Sequence, residues 1–117
     1  VDIPTFEGQN KLYADVSGDR NFIHTSNFLA RMSGLPRTIM HGVCVAAMVN
    51  NALVRQVLKG DAARLKSISA RFANPVFPGD VMTLVGYKSR KKGEVPFEVF
   101  RASGKPVIRN GMFRFGR

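Results

Sequence analysis

Residues 41–58 constrain this chain more than any other segment. They read as one long helix in which Val43, Ala46, Ala47, Asn50, Leu53, Val54 and Val57 keep a helical period. Cys44, Val45, Met48 and Val49 fill the remaining faces, and a helix apolar almost all round is expected to be buried almost all round. Charge enters only at its end, with Arg55 and Lys59, where it suits the helix dipole, and Gly60 then stops the helix. Beyond Gly60 the texture changes. Segments 65–77, 81–90, 95–102 and 106–115 are rich in β-branched and aromatic residues, with alternation such as Val95, Phe97, Val99. Turns are expected at Pro78-Gly79-Asp80, Lys92-Gly93 and Ser103-Gly104-Lys105. A buried helix followed by strands that pair as consecutive antiparallel hairpins predicts an α+β domain, one curved sheet wrapping one helix. Such a sheet keeps open edges, which favours pairing with another copy.

Upstream, residues 5–15 read as a short helix capped by Thr5, with Phe6, Leu12 and Tyr13 as its apolar stripe. Ser17-Gly18-Asp19 breaks it. Residues 26–33 read as a second short helix, capped by Thr25 or Ser26, with Phe28, Leu29 and Met32 spaced to face a core. Gly34 and Pro36 end it. With no internal repeat or linker, residues 1–117 are expected to form one domain. The longest apolar run, 43–49, is far short of the ~20 residues a membrane span needs. The chain shows no signal-peptide pattern, and its start at Val1 rather than Met suggests a processed N-terminus. The single cysteine, Cys44, cannot form an internal disulfide and reads as a small buried hydrophobe. A reducing compartment, by default the cytoplasm, is expected.

The net charge of +10 is lopsided. From Arg64 onward twelve Lys and Arg face three Asp and Glu, whereas the first 63 residues carry six against five. The densest stretch is Lys88-Ser89-Arg90-Lys91-Lys92. Such a field draws anionic partners: nucleic acid, the phosphates of coenzyme A, or an acidic carrier protein. A solvated basic surface is the competing reading. Nucleic acid is disfavoured because no recognised module or interleaved aromatic pattern accompanies the charge.

Two polar elements interrupt the apolar design. Ser17-Gly18-Asp19-Arg20-Asn21-Phe22-Ile23-His24 puts a carboxylate, a carboxamide and an imidazole within six residues of turn-like composition. Histidine titrates near neutrality, so His24 can take and return a proton while Asp19 orients its ring and shares a bound water. From spacing alone, Asx turns at Asp19 and Asn21 with a satisfied, partly buried His24 are the favoured reading. The second element, Met40-His41-Gly42, opens the long helix, where unpaired N–H groups and the positive dipole end can stabilise a developing oxyanion. Gly42 lets a ligand approach the backbone, although a plain helix start with His41 as a weak cap fits the same residues.

Taken together, these elements resemble the MaoC-like family of (R)-specific enoyl-CoA hydratases and dehydratases. The first run is similar to the family's Ser-Gly-Asp-x-Asn-Pro-(Ile/Leu)-His signature, and Ile39-Met40-His41-Gly42 resembles its His-Gly element. Residues 71–80, Arg-Phe-Ala-Asn-Pro-Val-Phe-Pro-Gly-Asp, resemble its strand motif of Arg-Phe, Pro-Val and Pro-Gly-Asp. The resemblance runs from Tyr13 to about Phe115, and it departs from the family where Phe22 stands in place of the usual proline. It implies a hot dog fold, with dimers joined sheet to sheet. It implies that Asp19 and His24 activate the water added to an enoyl thioester, with Asn21 in support. The Gly42 N–H, at the Met40-His41-Gly42 turn, would polarise the thioester carbonyl. No metal and no organic cofactor beyond the thioester carrier is expected, whether coenzyme A or acyl carrier protein. The resemblance leaves a peroxisomal location open, and a first strand before Val1 is expected to be mostly missing. Alternative readings are a dehydratase acting on carrier-protein thioesters, a non-catalytic acyl-binding subunit of a heteromeric dehydratase, and a thioesterase on the same fold.

Overall fold

The computed structural model describes residues 1–17, 26–35 and 37–116. Three helices are described, α1 (Gln9–Ser17), α2 (Asn27–Met32) and α3 (Gly42–Val57), with a 3₁₀ turn at Ala62–Arg64. Five strands, β1 (Asp2–Pro4), β2 (Leu65–Phe72), β3 (Val81–Gly86), β4 (Glu94–Arg101) and β5 (Pro106–Phe115), form one antiparallel sheet. Their order is β1-β3-β4-β5-β2, so β3, β4 and β5 form the expected meander. The expected hairpin between β2 and β3 does not form. β2 pairs with β5 instead, and residues 73–80 cross from one side of the sheet to the other. Pro75 and Pro78 explain the early end of β2: Ala73 still donates to Val107 O at 2.9 Å, but a proline nitrogen cannot continue the ladder. Pro106–Phe115 has the predicted bounds, while β3 stops at Gly86 rather than residue 90.

The core lies between α3 and the concave face of the sheet. α3 contributes Cys44, Val45, Val49, Leu53 and Val54; the sheet contributes Met82, Leu84, Phe97, Val99, Val107, Ile108 and Phe113. Alternation holds along β3 and β4, where buried residues fall two apart. It breaks in β5, where Phe97 faces Gly111 but Val99 faces Ile108, so three steps on β5 span two on β4. Asn110, at φ 54°, sits inside this bulge, and asparagine is among the few non-glycine residues that tolerate the left-handed region. The bulge brings Gly111 under the Phe97 ring, where a Cβ would lie 2.6 Å from ring carbons.

Three expectations are corrected here. α3 is not buried all round: Val43 is 72% exposed, because a single sheet covers only one side of the helix. The 5–15 helix begins later, and β1 precedes it. Thr5 is no cap; its buried hydroxyl donates to Asp80 O at 2.6 Å and ties β1 to the 73–80 crossover. Phe6 and Leu12 are exposed, leaving Tyr13 as the stripe residue that packs inward. In α2, Ser26 caps as expected by accepting from the Leu29 N–H at 3.3 Å, but Phe28, Leu29 and Met32 face outward and Ala30 is the buried residue.

Replacing Gly111 with Ala is expected to destabilise the fold by about 1–3 kcal/mol through overpacking against Phe97. Phe97→Leu in that background should recover part of the loss. Urea unfolding midpoints of the two single variants and the double variant test this; additive losses would show that the ring and the glycine are not coupled.

Candidate active site

The polar entrance to α3 is built by short-range bonds. Met40 is buried and its N–H donates to Val76 O at 2.7 Å, which fixes the chain just before the helix. His41 occupies the N-cap with extended backbone (φ −65°, ψ 134°) and makes no side-chain cap bond, so its expected role as a weak cap is not seen. The first bond of the helix is Val45 N–H to His41 O at 3.0 Å. The amides of Gly42, Val43 and Cys44 therefore have no acceptor within the helix, and they share its positive dipole end. The His41 ring is 2% exposed and packs on Tyr13 of α1, centroids 4.5 Å apart and planes tilted by 42°.

Against Gly42 lies an apolar cavity of about 280 Å³. Ile39, Met40, Gly42 and Val45 form one wall; Phe72, Asn74 and Val76 stand among the residues opposite. The opposite wall is firmly tied. Asn74 Nδ2 donates to Pro106 O at 2.8 Å, and Arg101 Nη1 donates to Pro75 O at 3.2 Å. Asp80 Oδ2 accepts from the Phe77 N–H at 2.9 Å, which closes the Pro78-Gly79-Asp80 turn, and Arg37 Nη2 donates to Pro78 O at 2.6 Å. The Arg37 and Arg101 guanidinium carbons lie 5.6 and 5.3 Å from the Phe77 ring centroid, within cation–π range. A Cβ on Gly42 would meet the Phe72 ring at 3.7 Å, ordinary contact, so the fold itself does not demand glycine here.

Of the candidate residues, Met40, His41 and Gly42 fall together at this entrance, with Met40 and Gly42 lining the cavity and His41 turned toward Tyr13. Asp19, Asn21 and His24, with Phe22, lie outside the described residues. The elements flanking them converge on one residue. Thr38, buried and two residues before Met40, accepts from Asn10 Nδ2 of α1 at 2.9 Å through its hydroxyl. Its N–H donates to Asn27 Oδ1 of α2, also at 2.9 Å. The start of α1 and the start of α2 are thus both anchored beside the α3 entrance. Sequence reasoning missed Thr38 and Asn10, which carry no motif. It also assigned Phe72 and Asn74 only to a strand, although Asn-Pro after an aromatic run is a signal for a strand end.

Comparison with known proteins bears on the family and the fold. Residues 1–111 match the family model described as MaoC like domain. The chain is 40% identical over 90 residues to 3-hydroxyacyl-thioester dehydratase Y of Mycobacterium tuberculosis, covering 76% of this chain and 31% of that protein. It is 40% identical over 67 residues to the peroxisomal enoyl-CoA hydratase 2 of Arabidopsis thaliana, covering 57% of this chain and 22% of that protein. Among solved structures, a MaoC-like dehydratase from Phytophthora capsici superposes with a TM-score of 0.92 at 30% identity, over all of this chain and 39% of that one. The chain thus spans less than a third of the length of these two curated relatives.

Two outcomes are expected. Gly42→Ala should fold with a thermal midpoint no lower than that of the parent, because the added methyl meets only ordinary contact and alanine suits a helix better than glycine. A drop of several degrees would show that glycine is structural. Burial pushes the Cys44 thiol above its usual range, since the thiolate would be poorly solvated there. Iodoacetamide should therefore label it slowly at pH 8 in the native protein and rapidly in urea. By linkage, the folded state holds this proton more tightly than the unfolded chain. Its contribution is fully present below the ordinary thiol pKa and is lost as pH rises past it.

Proposed function

The chain belongs to the MaoC-like family, and from that premise we propose that it is a hydro-lyase. It adds water reversibly across a trans-2-enoyl thioester to give a (3R)-3-hydroxyacyl thioester. The observation that carries this reading is the pairing of an apolar cavity with a helix N-terminus whose Gly42 is exposed and not required by the fold. An acyl chain suits the cavity, and the thioester oxygen suits the free amides at its end. The anchoring of α1 and α2 at Thr38 supports placing Asp19 and His24 next to that entrance.

In the hydration direction, Asp19 and His24 hold a water and take one proton from it as its oxygen bonds to C3. Electrons of the double bond pass toward the carbonyl, and the resulting enolate oxygen is stabilised by the Gly42 N–H. A proton returned to C2 completes the addition of H and OH. Asn21 orients the dyad. Met40 and His41 set the turn that presents Gly42, Met40 by its bond to Val76 and His41 by its packing on Tyr13. The steps balance without a metal or an organic cofactor beyond the thioester carrier.

Coenzyme A is the preferred carrier, on the strength of the likeness to an enoyl-CoA hydratase and the basic second half; an acyl carrier protein presents the same thioester. Pairing of a second copy sheet to sheet is supported by β2, which among the described residues bonds only to β5 and is exposed along most of its length, Phe72 included. No helix among the described residues is long and apolar enough to cross a membrane. A single buried cysteine suits a reducing compartment, the cytoplasm or a peroxisome.

Asp19→Asn and His24→Ala are each expected to lower crotonyl-CoA hydration by about two orders of magnitude or more with the circular dichroism spectrum unchanged. Gly42→Ala should lower kcat by a smaller factor. Near-normal turnover by both dyad variants would overturn the reading. Release of free thiol from a saturated acyl-CoA would point instead to a thioesterase.

A further inference from the structure

At the opposite end of the sheet from Gly42, a second concavity of about 210 Å³ is lined by Arg64, Lys92, Gly93, Phe115 and Gly116. The strand β2 separates the two: Phe72 at one end touches the Gly42 position, and Leu65 at the other adjoins Arg64. Seven strand steps put them about 23 Å apart. We propose that this second concavity is a binding site for a terminal phosphate group, separate from the apolar cavity and independent of the reaction assigned to it.

The cationic lining is built rather than incidental. Arg64 is held at three points. Its Nε donates to Gly116 O at 2.9 Å, its backbone O accepts from the Gly116 N–H at 2.8 Å, and its guanidinium carbon lies 5.5 Å from the Phe115 ring centroid. With Nε so occupied, the two terminal amino groups keep the flat fork that matches paired anionic oxygens, and no described residue fills it. Lys92 enters from the β3–β4 turn. Lys66 lies along Gly116, where a Cβ would meet its Cε at 2.8 Å. The turn itself is locked: Gly93 takes φ 78°, its carbonyl accepts from the Phe115 N–H at 2.9 Å, and a Cβ there would meet Phe115 O at 2.6 Å.

No described carboxylate neutralises Arg64, Lys66 or Lys92. The nearby Glu94 is already engaged by Arg114 Nε at 3.4 Å. Lys88, Arg90 and Lys91 extend the same positive field along the turn. A carboxylate would satisfy only the arginine fork. A terminal phosphate group carries nearly two negative charges and three acceptor oxygens, enough for the fork and the two ammonium groups together. The concavity takes one such group rather than a strand of nucleic acid. The phosphate can be borne by a nucleotide or be free.

The test is an amide NMR titration of the full chain with adenosine 3′,5′-bisphosphate, inorganic phosphate and poly-glutamate in turn. The parent is compared with Arg64→Gln and Lys92→Gln. Phosphate probes should move the Gly93 and Gly116 amides and leave Gly42 still, and each substitution should weaken binding about tenfold. Lys92→Gln removes no fold-bearing bond, so it keeps the test valid should Arg64→Gln disturb Gly116. Tighter binding of the bisphosphate than of inorganic phosphate identifies a nucleotide source; equal binding identifies free phosphate. Absence of shifts at Gly93 and Gly116, unchanged affinity in Lys92→Gln, or stronger binding of poly-glutamate than of either phosphate would overturn the proposal. Loss of hydratase activity in Asp19→Asn has no bearing on it.

Discussion

The packing of α3 onto the concave face of one sheet is the constraint on which everything else depends. Val45, Val49 and Leu53 meet Phe97, Val99 and Phe113 in a single layer of contacts, and each of these residues is nearly or wholly removed from water. Burying a side chain of this size contributes about 1.5–3 kcal/mol, so six of them outweigh any ion pair on the surface. Of the two ion pairs among described residues, Arg37–Glu7 has an exposed carboxylate, and in Arg114–Glu94 the arginine is half-exposed while the glutamate is 20% exposed. The helix is thereby held along its length, and its first turn inherits a fixed position over the 73–80 crossover.

That inheritance links core to site. Met40 is both a core residue and the residue whose N–H bonds to Val76, so the same packing that stabilises the domain aims the amide of Gly42. The β5 bulge plays a comparable part. The Asn110 bulge keeps Ile108 and Gly111 both buried, and a second register shift, where Val99 faces Ile108 but Phe100 faces Pro106, leaves the consecutive Val107 and Ile108 buried, with Val107 lining the cavity.

The helix-in-sheet outline was legible in the sequence because period and composition change abruptly at Gly60. Pro106–Phe115 could be bounded to the residue since turn residues flank it. The β2–β3 crossover was not legible. Antiparallel hairpins and crossovers share the same strand texture, and only pairing distinguishes them. The outward face of α2 was misread for a related reason: Phe28, Leu29 and Met32 have helical spacing, but spacing cannot say which side the rest of the fold covers. Met40 and Gly42 were readable at the helix start. Thr38 and Asn10 were not, because a buried pair of small polar residues leaves no pattern until the chain is folded.

The residues that cross beneath the α3 entrance are tied at several points. Phe77 lies within cation–π range of both Arg37 and Arg101, Thr5 and Asp80 join the segment to β1, and Asn74 joins it to the start of β5. Three separate parts of the chain thus clamp one wall of the cavity. A wall braced in this way behaves as a ruler rather than a door. The bore beside Gly42 is set by the side chains mounted on that wall, Phe72 foremost, so differences in what enters are written in side-chain volume rather than in loop motion.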